Sequence, residues 1–392
     1  MKRNERRIEG RKLEVTASAG VHRQTGPGLD AISFDAQSHR EFHLTLRALP
    51  GERPEQLVHR LATVLREKNA VVVRHDIFGL NSVHLEMTSA LQREFGILDW
   101  PVTWMGGKAP AGNDMGGMYV LAVTGNSVQT LSMNGEAFGR IWADEDVRHC
   151  VVGNFHPSSL ASSKTAQSGE FFEWMEQLLV KAHMSMNDLA RTWFFLNDIL
   201  TWYEPFNAVR TKFYNERKVL ENMLPASTGV GSSNPGGAAL TGGAWAVQGL
   251  DKSVGICAVP SPLQCPAIEY GSAFSRAVLI TEPACKRLLL SGTASIAPEG
   301  RDAHTGDIRG QIALTMEVVQ AILTSQGVGL QDVTRATAYF RNIQDAPALE
   351  LWRLDNGMGP LPLICTQACI CRNDLLFEIE LDAVLIGNTK EK

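Results

Sequence analysis

Apolar residues recur along the chain with two periods, and the two periods alternate. Residues 41–49 (EFHLTLRAL) switch between apolar and polar positions as a half-buried strand does. Residues 54–69 (PEQLVHRLATVLREKN) put Leu57, Leu61, Val64 and Leu65 on one stripe behind a proline, which predicts an amphipathic helix. A strand at 70–78, a helix at 82–95 and strands at 102–105 and 118–124 follow, giving the order β, α, β, α, β, β. The order recurs with a strand at 148–155 and a helix at 170–182, which turns Phe171, Trp174, Met175, Leu178 and Leu179 inward. A strand at 189–196, a helix at 202–214 and strands at 226–230 and 243–247 complete it. It recurs again: strand 287–296, a helix within 307–326 (Ile312, Met316, Val319, Ile322 and Leu323 inward), strand 333–340, short helix 346–352, and a closing pair at 363–371 and 376–385.

Landmarks repeat at near-constant spacing. Arg148 and Gly153 match Arg287 and Gly292 at an offset of 139; the run from Asn187 matches the run from Gln331 at 144; Leu224-Pro225 matches Leu361-Pro362 at 137. This predicts an internal duplication. The first unit shares only the element order. Two helices per unit covering one face of a mixed sheet give an α+β layer. The expected division is a disordered lead-in over 1–36, rich in Arg, Gly and polar residues. A degenerate unit at 37–147, a unit at 148–249, a linker hairpin at 250–285 and a unit at 286–386 follow.

The closing pair carries the densest chemistry. From Leu376, Phe377, Ile379, Leu381 and Ala383 alternate with Glu378, Glu380 and Asp382. Read as a hairpin turning at Asn373-Asp374, it sets Cys369 opposite Glu378, a sulfur beside a carboxylate. The alternation fits an acidic face in water as well as one in a cleft.

Composition narrows the function classes. A net charge of −5, 20% charged and 44% hydrophobic residues describe an ordinary globular chain with no clustered positive surface for nucleic acid. The one basic run, Lys2 to Lys12, is interrupted by Glu5 and Glu9. No apolar stretch follows it, and no window of about 18 apolar residues could span a bilayer. A cytoplasmic protein with no membrane partner is expected, its seven cysteines reduced. Cys365, Cys369 and Cys371 lack the spacing and the fourth ligand of a closed zinc site. No phosphate-binding loop, dinucleotide fingerprint or G-x-S-x-G elbow occurs, so no cofactor is expected.

LLLSGTASI at 288–296, DVTRATAYFRNI at 332–343 and LLFEIELDAVL at 375–385 resemble the Rid/YjgF superfamily of enamine/imine deaminases. AFSRA at 273–277, PASTG at 225–229, FNxxR at 206–210, HTGD at 304–307 and CRxDLLFEIE at 371–380 resemble the chorismatase branch, whose members hydrolyse the enolpyruvyl ether of chorismate. The resemblance covers about 148–386. It implies tandem Rid-like units (chorismate-mutase-like fold) arranged as a pseudo-trimer, with sites in clefts between units and a monomer or weak homo-oligomer. It also implies a small carboxylate substrate. The chain departs from the pattern at three places. Leu363-Ile364 and Ala226-Ser227 stand where Rid deaminases carry a carboxylate-binding arginine. Phe194 and Phe195 replace the Asn and Tyr of an Arg-x-Trp-Asn-Tyr run, and the loop 297–302 is altered.

The resemblance makes Glu378 the general acid. To protonate a vinyl carbon it must stay neutral near pH 7, which an apolar wall or a neighbouring carboxylate achieves. Arg276 and Arg372 are expected to hold substrate carboxylates, with Arg210 from the helix of the second unit. Thr293 and Ser295, alternating at a strand end, are expected to donate into the cleft, and Cys369 or Cys371 to flank the acid. Glu380 and Asp382 are expected to be solvated neighbours. The reaction is then hydrolysis of an enol ether or an enamine/imine. A non-catalytic binding protein built on the same clefts is the alternative; RNA cleavage fits poorly with the acidic balance.

Overall fold

A computed structural model describes residues 14–387 apart from Ala19. The first unit comprises β1 (Glu14–Ser18), β2 (Val21–Gly26), β3 (Leu29–Asp35), β4 (Arg40–Arg47), α1 (Pro54–Lys68), β5 (Val71–Gly79), α2 (His84–Phe95), β6 (Val102–Gly106) and β7 (Met115–Thr124). The second has β8 (Gln129–Met133), β9 (Glu136–Ala143), β10 (Val147–Val152), α3 (Lys164–Lys181), β11 (Leu189–Leu196), α4 (Tyr203–Glu216), β12 (Ala226–Gly231) and β13 (Leu240–Gly249). The third has β14 (Gly255–Val259), β15 (Ala277–Thr281), β16 (Cys285–Ala294), α5 (Ile308–Ser325), β17 (Val333–Phe340), α6 (Ala346–Asp355), β18 (Leu363–Gln367) and β19 (Phe377–Ile386).

The three sheets share one topology: β4-β7-β5-β6, β10-β13-β11-β12 and β16-β19-β17-β18, each extended on the same side by antiparallel hairpin strands, β1–β3 in the first and two strands in each of the others. Those hairpins correct three expectations. The described part of the lead-in is not unstructured: β1 pairs with β2, and β2 and β3 turn at Pro27-Gly28 and bury Val21, Ile32 and Phe34. Residues 1–13 lie outside the described residues. β8 and β9, expected in the first unit, pair with β10 of the second sheet. The linker at 250–285 supplies β14 and β15 to the edge of the third sheet.

The closing pair is also not a hairpin. β18 runs parallel to β17, and β17 separates it from β19. The segment 368–376 is therefore a crossover past the end of β17, and Cys369 does not face Glu378. β12, β11 and β13 repeat this arrangement.

Each sheet buries one face under its two helices, and the apolar stripes of α1, α3 and α5 fill those cores. The other faces meet in a central cluster drawn from all three sheets, including Tyr119, Trp193, Trp245, Leu289 and Tyr339. Three equivalent backbone bonds stitch the sheets edge to edge: Gly106 N to Ser233 O (2.9 Å), Gly231 N to Cys369 O (2.6 Å) and Gln367 N to Lys108 O (2.9 Å). The result is a pseudo-threefold arrangement of α+β units on one chain.

Strand registers identify the equivalent positions. A register shift in the strand after the first helix of each unit precedes Arg74, Arg191 and Arg335. All three guanidiniums gather around the Trp193 ring, at 3.4, 5.1 and 5.4 Å. The same registers make Gly117, Thr241 and Glu378 counterparts.

Candidate functional site

A cavity of about 340 Å³ opens between the second and third units. α4 presents Tyr203, Asn207 and Arg210 to it, at spacings of four and three that share one helix face. β12 adds Ser227 and Gly229. The third unit closes it with Tyr270, Phe274, Arg276, the end of β16, Cys371, Arg372 and Leu375, and with Glu378 from the start of β19.

Glu378 is buried. Desolvation by its apolar surroundings, with the nearby Glu380 carboxylate adding to it and Arg191 opposing, pushes its carboxyl up to about 8. Space for that carboxyl comes from Gly292, where any Cβ would overlap a Glu378 oxygen. This is a steric reason for the glycine in SGTASI.

Glu380 has the opposite character and corrects the expectation of a solvated neighbour. It is buried on the central side, 2.5 Å from Arg191 Nη2 and 2.8 Å from Arg335 Nη1, and accepts from Trp193 Nε1 at 2.9 Å and from the Thr228 hydroxyl. Burial alone would raise its pKa. The Arg335 and Arg191 guanidiniums outweigh burial and hold it down to about 2. Asp382 is likewise buried, 2.5 Å from Arg335 Nε. The acidic face of β19 thus looks inward because the sheet's second face is covered by the other units.

Two arginines bring charge to the cavity without an ion-paired carboxylate among the described residues. Arg210 Nη2 donates to Asn207 Oδ1 at 2.6 Å, and its buried Nε has no partner among the described residues. Arg276 donates through Nε (3.1 Å) and Nη2 (2.7 Å) to the Cys265 carbonyl. Both guanidiniums lie near the Phe274 ring, at 5.9 and 5.7 Å. Arg372 differs: its Nη1 sits 2.8 Å from Asp302 Oδ1 and also donates to the Gly300 carbonyl, so its charge is already matched at the rim.

Three expected residues fall outside the cavity. A register shift between Leu290 and Thr293 changes which side chains of β16 face the cleft. Gly292, Ala294 and Ile296 line it instead. Thr293 donates to the Ser291 carbonyl and Ser295 to the Ala303 carbonyl. Cys369 is exposed, its backbone engaged with Gly231, whereas Cys371 does reach the cavity. Tyr203, Ser227, Tyr270 and Leu375 were not anticipated. Tyr203 was within reach, because it precedes Asn207 and Arg210 on the same helical stripe.

Comparison with known proteins accords with this architecture. No family model matches the chain. It is 25% identical over 278 residues to a 3-hydroxybenzoate synthase of Streptomyces hygroscopicus, covering 64% of this chain and 77% of that protein. A RutC family protein of Pyrococcus horikoshii is 29% identical over 94 residues, 24% of this chain and 75% of its own. A solved chorismatase superposes with a TM-score of 0.58 at 21% identity, covering 80% of this chain and 92% of that one. The fold is that of the Rid/YjgF superfamily, repeated in tandem on a single polypeptide. In its three-unit fold the chain is similar to the solved chorismatase. Among the described residues no helix is long and apolar enough to cross a membrane.

Proposed function

We propose that the protein hydrolyses the enol-ether bond of a small, cyclic, chorismate-like carboxylate, with Glu378 as general acid. One observation carries the reading: a carboxyl kept neutral near pH 7 shares a cavity with two buried guanidiniums that have no acidic partner among the described residues. An uncompensated buried charge is costly, so such a cavity favours an anionic ligand. The names of two relatives, a chorismatase and a 3-hydroxybenzoate synthase, support the same substrate class.

Arg210 and Arg276 hold the substrate carboxylates, and Arg372 guards the rim. Phe274, Ile296, Leu375 and Tyr203 exclude bulk water around the reacting group. The Glu378 carboxyl gives its proton to the terminal vinyl carbon, and C=CH2 becomes C–CH3. The positive charge left on the adjacent carbon is shared with the ether oxygen. Water adds there, and the hemiketal collapses by breaking the bond between that carbon and the ring oxygen. Pyruvate and a ring alcohol leave: of the added water's two protons, one restores Glu378 and the other, from the hemiketal hydroxyl, passes to the departing ring oxygen. The two neighbouring carboxyls divide the work: Glu378 is held neutral to donate, while Glu380, clamped by Arg335 and Arg191, stays ionised.

Enamine or imine hydrolysis is the second reading. Leu363-Ile364 and Ala226-Ser227, in place of the deaminase arginine, favour the enol ether. The protein is incubated with chorismate and, separately, with freshly generated imines, followed by mass detection of pyruvate and ammonia. Pyruvate equimolar with a ring alcohol is expected. Accelerated ammonia release without pyruvate would overturn the assignment.

A further inference from the structure

Threefold repetition gives the cleft between the first and second units the same construction as the Glu378 site. The helix-start alignment and the strand registers pair the two clefts residue by residue: His84 with Tyr203, Thr88 with Asn207, Leu91 with Arg210. Val102 and Trp104 correspond to Ser227 and Gly229, and Thr241 to Glu378. All of these residues line one or the other cavity. The second cavity is the larger, about 820 Å³ against 340 Å³.

We propose that this second cleft is a binding site for a small neutral aromatic molecule of the phenol class, distinct from the Glu378 site and without catalytic function. The inference does not depend on the reaction proposed above. Its basis is what has changed between equivalent positions. The acid has become a threonine, and the arginine that would meet a carboxylate has become Leu91. No lysine or arginine is among the lining residues. Glu136 is the one carboxylate there, and Asn154 Nδ2 donates to it at 2.8 Å. The two lining histidines do not supply a fixed cation: His156 sits 3.5 Å from Glu136, and burial lowers the His84 pKa, so a carboxylate ligand would be poorly compensated. Flat apolar surface has been gained instead: the Trp104 indole, with His84 edge-on at 5.0 Å, and Trp100. The Thr241 hydroxyl and the Asn154 amide oxygen can bond a phenolic group, whereas the Asn234 amide is held by the Ala238 backbone. Leu85 and Ile97 at the same cleft are 79% and 94% exposed, so the apolar surface there is left open to water.

The test is calorimetric titration of the full chain with 2-naphthol and with 2-naphthoate, which are similar in size and differ in charge. The expected result is one-to-one binding of 2-naphthol, at least tenfold tighter than any 2-naphthoate binding that Leu85→Asp weakens. Thr88→Trp, which fills the cleft from α2, should weaken it at least tenfold. Leu85→Asp, on an exposed position that tolerates charge, should weaken it severalfold and keeps the test decisive if Thr88→Trp fails to fold. Absence of 2-naphthol binding up to its solubility limit overturns the proposal. So does 2-naphthoate binding that is as tight and is weakened by Leu85→Asp, which marks it as bound in this cleft rather than beside Arg210 and Arg276, or 2-naphthol binding that survives Leu85→Asp unchanged.

Discussion

The pH dependence of turnover follows from the environment of Glu378. Its carboxyl is moved from 4.5 to about 8, first by burial and then by the Glu380 carboxylate, with Arg191 opposing. That displacement is worth roughly 5 kcal/mol in favour of the neutral form. At pH 7 about nine in ten Glu378 side chains carry the proton; for an unperturbed glutamate it would be about three in a thousand. Because the folded-state value is raised, the proton is held below about 8 and lost above it. Initial rates of pyruvate release from chorismate, measured between about pH 5 and about pH 10, should give kcat/KM that is level near neutrality. Above about 8 it should fall roughly tenfold per pH unit. A descending limb centred below about 6, or a rate that rises steadily through neutrality, would refute the assignment of a proton-donating Glu378.

Three further outcomes test other parts of the site. Gly292→Ala places a Cβ against the Glu378 carboxyl and displaces the acid, so kcat should fall about 100-fold while the thermal midpoint changes little; unchanged kcat contradicts the steric role. Arg210→Leu and Arg276→Leu should each weaken substrate binding, raising KM by about tenfold or more, whereas the same change at Arg372, already paired with Asp302, should cost less. Far from the cavity, His39 joins Glu41 at 3.2 Å and Asp144 at 2.8 Å across the first two units. Burial lowers its pKa, but those two carboxylates raise it overall to about 9. Its stabilising contribution is complete below about 6.5 and is lost as pH rises through about 9, roughly 3 kcal/mol in all. Wild-type stability to denaturant should therefore decline over that interval, and His39→Asn should flatten the decline.

Much of the fold was legible because each unit's helices and central strands carry their own period. The helix stripe of α3 and the alternation of β19 needed no tertiary information. What was missed depends on pairing. Parallel placement of β18 against β17 puts an unrelated strand between two runs that look like a hairpin in sequence, and that misplaced Cys369. A single register shift in β16 moved Thr293 and Ser295 out of the cleft and Gly292 into it. Glu380 and Asp382 looked solvated because their partners, Arg191 and Arg335, stand 189 and 45 residues from Glu380 along the chain. Glu378 was singled out through the resemblance that the FEIE run carries, and it lines the cavity. Its separation in chemistry from Glu380 two residues away is set by the arginines of two units.

The central claim is that one carboxyl in one inter-unit cleft performs the proton transfer. Glu378→Gln preserves size and removes the proton donor. Pyruvate release from chorismate should fall by about a thousandfold or more, with chorismate affinity retained within about tenfold of wild type. Turnover by Glu378→Gln within tenfold of wild type would contradict the claim.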